Sequence, residues 1–411
     1  MLAPYALLLL AAPAAAQLPQ LWTVDDDGPA DFAVIQDAIG AAGPTDHIVV
    51  HDGVYAGFEI VETRLTLEAA AGARVEIQGS VVVRDLHGSG WVFLRGLRTS
   101  AAPATAEETA TFLAKDSIGP IWVEDCSFGA PFGASGAPGR FHGDAATVNQ
   151  ANVIFVRVEL CGGTGVGGEP GGAGLVLQPS NAWVHGSRIA GGDGLAQGGP
   201  SASGGPGIVQ EGGFLFLGGS TVSGGDGASA LDASCSDGGD GGDGLTLFGL
   251  FPVLESQDNA LAGGAGGASL CGAPGADGVA RAVLTPAGIT DLAGLSVSVV
   301  AASPLSDGDP QTLTVTGAPG DLVLLAYSLG HDTADIPGAA GWLLLFQPAQ
   351  LLTRTLLPAS GSATLTEVLP GPHLSAHIEA LTFYVQPIAL RAGGELVYGS
   401  PTGFGILPAA F

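Results

Sequence analysis

Titratable side chains are sparse in this 411-residue chain, so the places where they gather stand out. Glu124-Asp125, then Arg140-Phe141-His142-Gly143-Asp144, then His185 and Arg188 bring acids, imidazoles and guanidinium groups into one region. General acid and base chemistry needs two such groups facing one substrate atom, with at least one displaced pKa. Glu124, His142, Asp144, His185 and Arg188 are therefore the residues from which an active site would be built. The competing reading, and the one preferred, is that they face water as most charged side chains do, with no catalytic residue among them.

What would position them is a repeat. Leu97, Phe128, Leu160, Ile189, Val222 and Leu261 each precede or open a glycine-rich turn and are separated by 31, 32, 29, 33 and 39 residues. A near-constant period of this size means stacked supersecondary units. Seven and five positions before four of these anchors stand Ile121 and Val123, Val153 and Phe155, Ala182 and Val184, Leu215 and Leu217. Apolar residues at every second position have the strand period. Each unit is then a coil of short strands, and the coils stack in parallel as a solenoid about 4.8 Å per layer. Counting by anchors puts Glu124 and His185 on one outer ladder two coils apart, and Glu159 and Arg188 on another in adjacent coils, where they form a surface ion pair.

Six positions before the anchors the row reads Trp91, Trp122, Ile154, Trp183, Phe216. Alternation turns this row outward, and a contiguous apolar stripe marks a contact. Long loops, the C-terminal part of the chain, or a sugar polymer stacked on the rings would each cover it. If a glycan lies there, Trp91, Trp122, Trp183 and Phe216 are its contacts.

The glycine-rich turns include Ser236-Asp237-Gly238-Gly239-Asp240-Gly241-Gly242-Asp243-Gly244-Leu245. It matches one calcium-binding nonapeptide, with Asp240 and Asp243 as ligands, but such sites repeat in tandem. The preferred reading is a flexible acidic loop, with no cofactor, calcium being the one ion for which a site is legible. Four cysteines are expected to pair between neighbouring coils, Cys126 with Cys161 and Cys235 with Cys271, in an oxidising compartment.

Composition limits the partners. Twelve basic residues against 39 acidic ones give a net charge of -27. That field disfavours nucleic acid and anionic membrane. Met1 to Ala16 reads as a signal peptide, and no later stretch is long and apolar enough to span a bilayer, so a secreted or cell-surface monomer is expected. The next segment places Phe32, Ile35 and Ile39 on one helical face, with Asp31 as its cap. A short helix there would close the first coil's open edge.

Asp31-Phe32, Ile35-Gln36-Asp37-Ala38-Ile39, Ile48-Val49-Val50 and Gly53-Val54-Tyr55 together resemble the N-terminal opening of the pectin-lyase-like superfamily. The resemblance implies a right-handed parallel β-helix over 17–284. It implies little about chemistry, since the fold hosts esterases, lyases, hydrolases and proteins without activity. The catalytic signatures of the esterases have no match here, and those of the hydrolases only a faint echo in Gly186-Ser187-Arg188-Ile189. From about Val283 glycine thins and alternating strands follow at Ser296 to Ala302, Thr312 to Val315, Leu322 to Tyr327, Trp342 to Leu345, Ala363 to Val368, Leu381 to Gln386 and Glu395 to Tyr398. They predict a small C-terminal β-sandwich over 285–411. The chain as a whole reads as an all-β, non-catalytic protein that binds polysaccharide or a surface or matrix component, or is structural. The alternative is a carbohydrate-active enzyme, a lyase or hydrolase on a uronate-containing polymer.

Overall fold

The computed structural model describes residues 18–88, 90–101, 110–129, 143–196, 201–231, 236–367, 374 and 378–408. The expected signal peptide, His142 and Cys235 lie outside these residues.

From Leu21 to Leu292 the strands pair in parallel, 22 of them in one sheet, with Gly165–Val166 and Gly194–Leu195 forming a separate pair. Each layer pairs with the next about thirty residues on. Val153 lies opposite Ile121 on one side and Ala182 on the other, and Ala182 lies opposite Leu215. These four, with Val123, Phe155, Val184 and Leu217, are buried in one core. The period-two pattern thus faces inward as expected.

Phe128, Leu160, Ile189, Val222 and Leu261 are register partners in turn. Leu97 breaks the series, because Arg98 pairs with Ser127 and the first layer is offset by two positions. The corner of each layer explains the offset. Gly96, Asp125, Arg157, Gly186, Gly219 and Asp258 all turn at a left-handed φ between 51° and 76°. Three residues past each corner comes the inward position, and in the first layer that is Thr99. Gly and Asp tolerate this conformation, whereas Arg157 is an uncommon occupant that needs outside support.

The helix Ile35–Ala41 buries Ile35, Ala38 and Ile39 in the same core. Asp31 does not cap it. The helix starts too late for that, and the Asp31 carboxylate instead accepts hydrogen bonds from the amide and hydroxyl of Thr23, both at 2.9 Å.

The described glycine-rich turns are ordered, not flexible as expected. Gly238, Gly241 and Gly244 donate to the carbonyls of Ala273, Ala276 and Val279, while Gly239 and Gly242 donate to Ala228 and Gly225. Bonding that recurs every third residue toward each neighbour has the period of a polyproline II helix. The described parts of the turns, 162–174, 191–196 with 201–207, 224–231 with 236–244, and 262–279, therefore stack as extended rods, each layer holding the one before. Such rods pack closely only without side chains. A Cβ on Gly242 would stand 2.0 Å from the Gly205 carbonyl oxygen, and one on Gly239 2.0 Å from that of Ala202.

Beyond Val297 the pairing becomes mainly antiparallel, with Leu305–Ser306 and Ala339–Ala340 pairing in parallel. Ser298–Ala301, Gln311–Thr316 and Ser362–Glu367 form one sheet. Leu322–Ser328, Gln350–Leu356, Leu381–Leu390 and Thr402–Leu407 build a second. The two share a core that includes Val299, Leu313, Val323, Val385 and Phe404. All seven expected strands are present, six of them within two residues at each end and the one from Leu381 running four residues further to Leu390, and Gln350–Leu356 and His331–Asp335 are among the additions.

The stack makes a direct prediction. Gly242→Ala should lower the thermal unfolding midpoint by several degrees, while Gly40→Ala, in the helix with open space around it, should leave it unchanged or raise it, since Ala is favoured over Gly by about 1 kcal/mol in a helix. Circular dichroism melts of the two variants check both.

Candidate functional site

The outward row runs through Thr66, Phe93, Trp122, Ile154, Trp183 and Phe216 as successive register partners. Phe93 replaces the expected Trp91 because of the first layer's offset. The row does point away from the core, but it is not open. Trp122, Trp183 and Phe216 are 0, 3 and 1 % exposed, packed with Leu343, Leu344, Leu345, Tyr384 and Tyr398 of the C-terminal sheets. Trp122 and Tyr384 rings lie 4.8 Å apart, and Trp183 and Trp342 rings 5.5 Å apart. Burying each ring contributes about 2–3 kcal/mol. Of the residues expected to contact a glycan, Trp122, Trp183 and Phe216 are thereby closed off, and the C-terminal sheets are the cover.

The next outward row carries the charges. Glu68, Arg95, Glu124, Val156 and His185 are successive partners, so Glu124 and His185 do share a ladder two layers apart. Glu124 is fully buried beneath the same cover. Its carboxylate accepts hydrogen bonds from Trp122 Nε1 at 2.8 Å, Gly403 N at 2.7 Å, Thr402 Oγ1 at 2.6 Å and Arg157. Arg95 lies 3.6 Å from Glu124 and 2.8 Å from Asp125, and Arg157 reaches Asp125 at 2.8 Å. Burial opposes ionisation of Asp125, yet the hydrogen bond and charge of Arg157, with Arg95 behind, hold its carboxyl below the usual range. Two cations thus balance two anions, and the Arg157 corner is held by them. Arg95 also donates to the carbonyls of Gly403 and Ala301, which ties the parallel sheet to the C-terminal sheets.

The remaining catalytic candidates are scattered. Arg188 is exposed with its guanidinium 3.5 Å from Glu159, the surface pair expected of it. Asp144 accepts the Ala173 amide at 2.8 Å, and burial pushes its carboxyl upward. His185 is buried against Phe216 at 5.0 Å, with Nε2 unpartnered within the protein, and burial lowers its pKa to about 3. His142 lies outside the described residues.

Cys126 and Cys161 are free thiols, which corrects their expected disulfide. Cys161 is opposite Gly129, three residues past Cys126, and Cys126 points into the core beyond the corner. Burial pushes both thiols to about 12. Cys271 is disulfide-bonded.

Asp240 and Asp243 each turn a carboxylate oxygen onto the next rod, accepting the amides of Ala276 and Val279 at 2.8 and 2.9 Å. Asp193, Asp226 and Asp237 do the same one layer apart. The acidic residues of the nonapeptide thus brace the stack. Among the described residues one group of three acids converges, Asp25, Asp26 and Asp27, within 4.8 Å of one another. Oxygen-only donors of this kind suit a hard cation.

One cavity is large enough for a ligand of several rings. It has a volume of about 930 Å³ and lies where the parallel sheet meets the C-terminal sheets. Arg64, Trp91 and Pro120 form one wall, and Tyr327, His331, Asp332, Phe346 and Gln350 the other. Phe346 is 56 % exposed. The Trp91 ring stands 5.8 Å from that of His331, whose nitrogens are unpartnered within the protein and whose pKa burial lowers to about 3. Tyr327 donates to Gln350 Oε1 at 2.7 Å. Sequence reasoning placed Trp91 in the outward row, where Phe93 stands instead, and did not anticipate the residues across the cleft, since His331–Asp335 is too polar to be read as a strand.

No protein-family model matches the chain, and no curated protein is significantly similar to it. No helix among the described residues is long and apolar enough to cross a membrane.

Two outcomes follow from the buried groups. Arg157→Ala leaves Glu124 buried without its nearest cation, and should destabilise the chain by about 3–5 kcal/mol in urea unfolding. The second concerns acid. His185 and His331 hold protons only below about pH 3 when folded, against 6.5 in the unfolded chain. Between those values the unfolded chain binds more protons, so stability is full above pH 6.5 and is lost as pH falls. Unfolding at pH 7.5 and 4.5 should show that loss, and His185→Gln should reduce it.

Proposed function

We propose that the chain is a secreted or cell-surface protein that binds polysaccharide without cutting it, in the cleft between two modules. The first module, on this reading, is a right-handed parallel β-helix of the pectin-lyase-like kind, closed at its start by the helix Ile35–Ala41. The second is a β-sandwich from about residue 285. Parallel pairing at thirty-residue intervals, with left-handed corners stacked on one another, supports the first part.

The observation that carries the binding reading is the cleft of about 930 Å³ with Trp91 and Phe346 on opposite walls. Sugar rings present apolar C–H faces, and aromatic side chains offer flat partners while polar groups nearby meet hydroxyls. Gln350 and Asp332, both exposed, supply those groups. Among the described residues the lining offers one carboxylate, Asp332, where glycoside hydrolysis uses two. Glu124, the best-placed acid elsewhere, is consumed by four hydrogen bonds.

The test is affinity electrophoresis of the mature chain in gels containing neutral or acidic polysaccharides, alongside an assay for new reducing ends and unsaturated products. Retardation without products is expected. Trp91→Ala and Phe346→Ala should each weaken binding at least about tenfold, since a stacked ring contributes on the order of 1–3 kcal/mol, with little change in melting temperature. Products that vanish in these variants would overturn the non-catalytic reading; undiminished retardation would place binding elsewhere.

A further inference from the structure

With 12 basic residues against 39 acidic ones, cations in this chain rarely lack a partner. Arg74, Arg84, Arg95, Arg157 and Arg281 all lie within 4.0 Å of a carboxylate. Arg64 is different. It is half-buried in the wall of the junction cleft, and no carboxylate of the described residues lies within ion-pair distance. Arg98 and Arg354 likewise have no carboxylate of the described residues within ion-pair distance, but neither lines this cleft.

The surroundings of Arg64 make that condition informative. Trp91 stands on the same wall, and Phe346 and His331 face it. A guanidinium beside such walls is less screened than one in open water, and its planar fork matches an oxyanion. The acid nearest in the lining, Asp332, is exposed at the other wall and accepts the Thr333 amide at 2.8 Å, so it does not neutralise Arg64.

We propose that Arg64 makes the junction cleft selective for a largely neutral glycan that carries one oxyanion substituent, a carboxylate or a sulfate ester. This rests on the cleft being the glycan site. The anion forks onto the guanidinium, a sugar face lies on Trp91, and hydroxyls meet the exposed side-chain amide of Gln350. One anion is favoured and many are not. The net charge of -27 repels each further anion, and Asp332 repels a second one inside the cleft; such repulsion acts over about 8–10 Å at moderate salt.

The experiment is calorimetric titration of the mature chain with four tetrasaccharides. These are cellotetraose, cellotetraose with one sulfate ester, cellotetraose ending in one glucuronate, and tetragalacturonate. At least one singly charged ligand should bind about tenfold more tightly than cellotetraose, and tetragalacturonate should bind more weakly than it. Arg64→Gln should erase the preference while leaving cellotetraose unchanged, and Arg64→Lys should retain part of it. Equal affinity for neutral and singly charged ligands, or a preference that survives in Arg64→Gln, overturns the assignment and leaves the cleft reading standing. Absence of binding by all four, with Trp91→Ala no different from wild type, overturns the cleft reading and this assignment with it.

Discussion

Every layer of this protein is held to the next by its backbone, and that single requirement shapes the rest. Strand residues pair in parallel with those of the neighbouring layer, and the glycine rods extend the same bonding into segments that have no strand geometry. A stacked chain places like positions over like at about 4.8 Å. Apolar residues gain from this, and equal charges would not. The charged row accordingly alternates in sign, Glu68 opposite Arg95 and Arg95 opposite Glu124. The corners do the same with Asp125 and Arg157, and the exposed edge with Glu159 and Arg188.

Stacking also generates the interface that the second half of the chain must cover. A ladder that repeats outward aromatic residues creates an apolar strip too long to leave in water. The C-terminal sheets lie on it, and the buried carboxylate of Glu124 accepts the amide of Gly403 within that contact. Glu68 contributes similarly, bonding to His47 at 2.7 Å on its own side and to Ser303 across the junction. The cleft forms at the margin of this contact, where the first layer is offset and Trp91 falls outside the covered row.

Much of the parallel region was legible because its signal is periodic. Val123, Phe155, Val184 and Leu217 could be placed by counting alone. The first layer was misregistered since Leu97 and Thr99 lie on one strand face two residues apart, and only the corner at Gly96 tells which of them stacks on Phe128. The sequence also carried the outward row without saying what covers it, because a cover brought from more than a hundred residues away leaves no local mark. The rods were misjudged for another reason. Glycine spaced by threes is compatible with a loose loop and with close packing of extended chains, and the difference lies in neighbours that a single turn does not reveal. Cys126 and Cys161 looked paired because their spacing matches one layer, yet the corner between them sends Cys126 into the core.

The glycine rods impose an arithmetic on how this protein can change. Their bonding recurs every third residue, so a single inserted or deleted residue rotates every following position by a third of a turn and carries side chains into the gap that Gly239 and Gly242 leave for the Ala202 and Gly205 carbonyls. Triplets preserve the phase. The described edge of the stack can thereby lengthen or shorten in units of three while the strands behind it keep their register, so that its reach changes in steps and its cross-section does not.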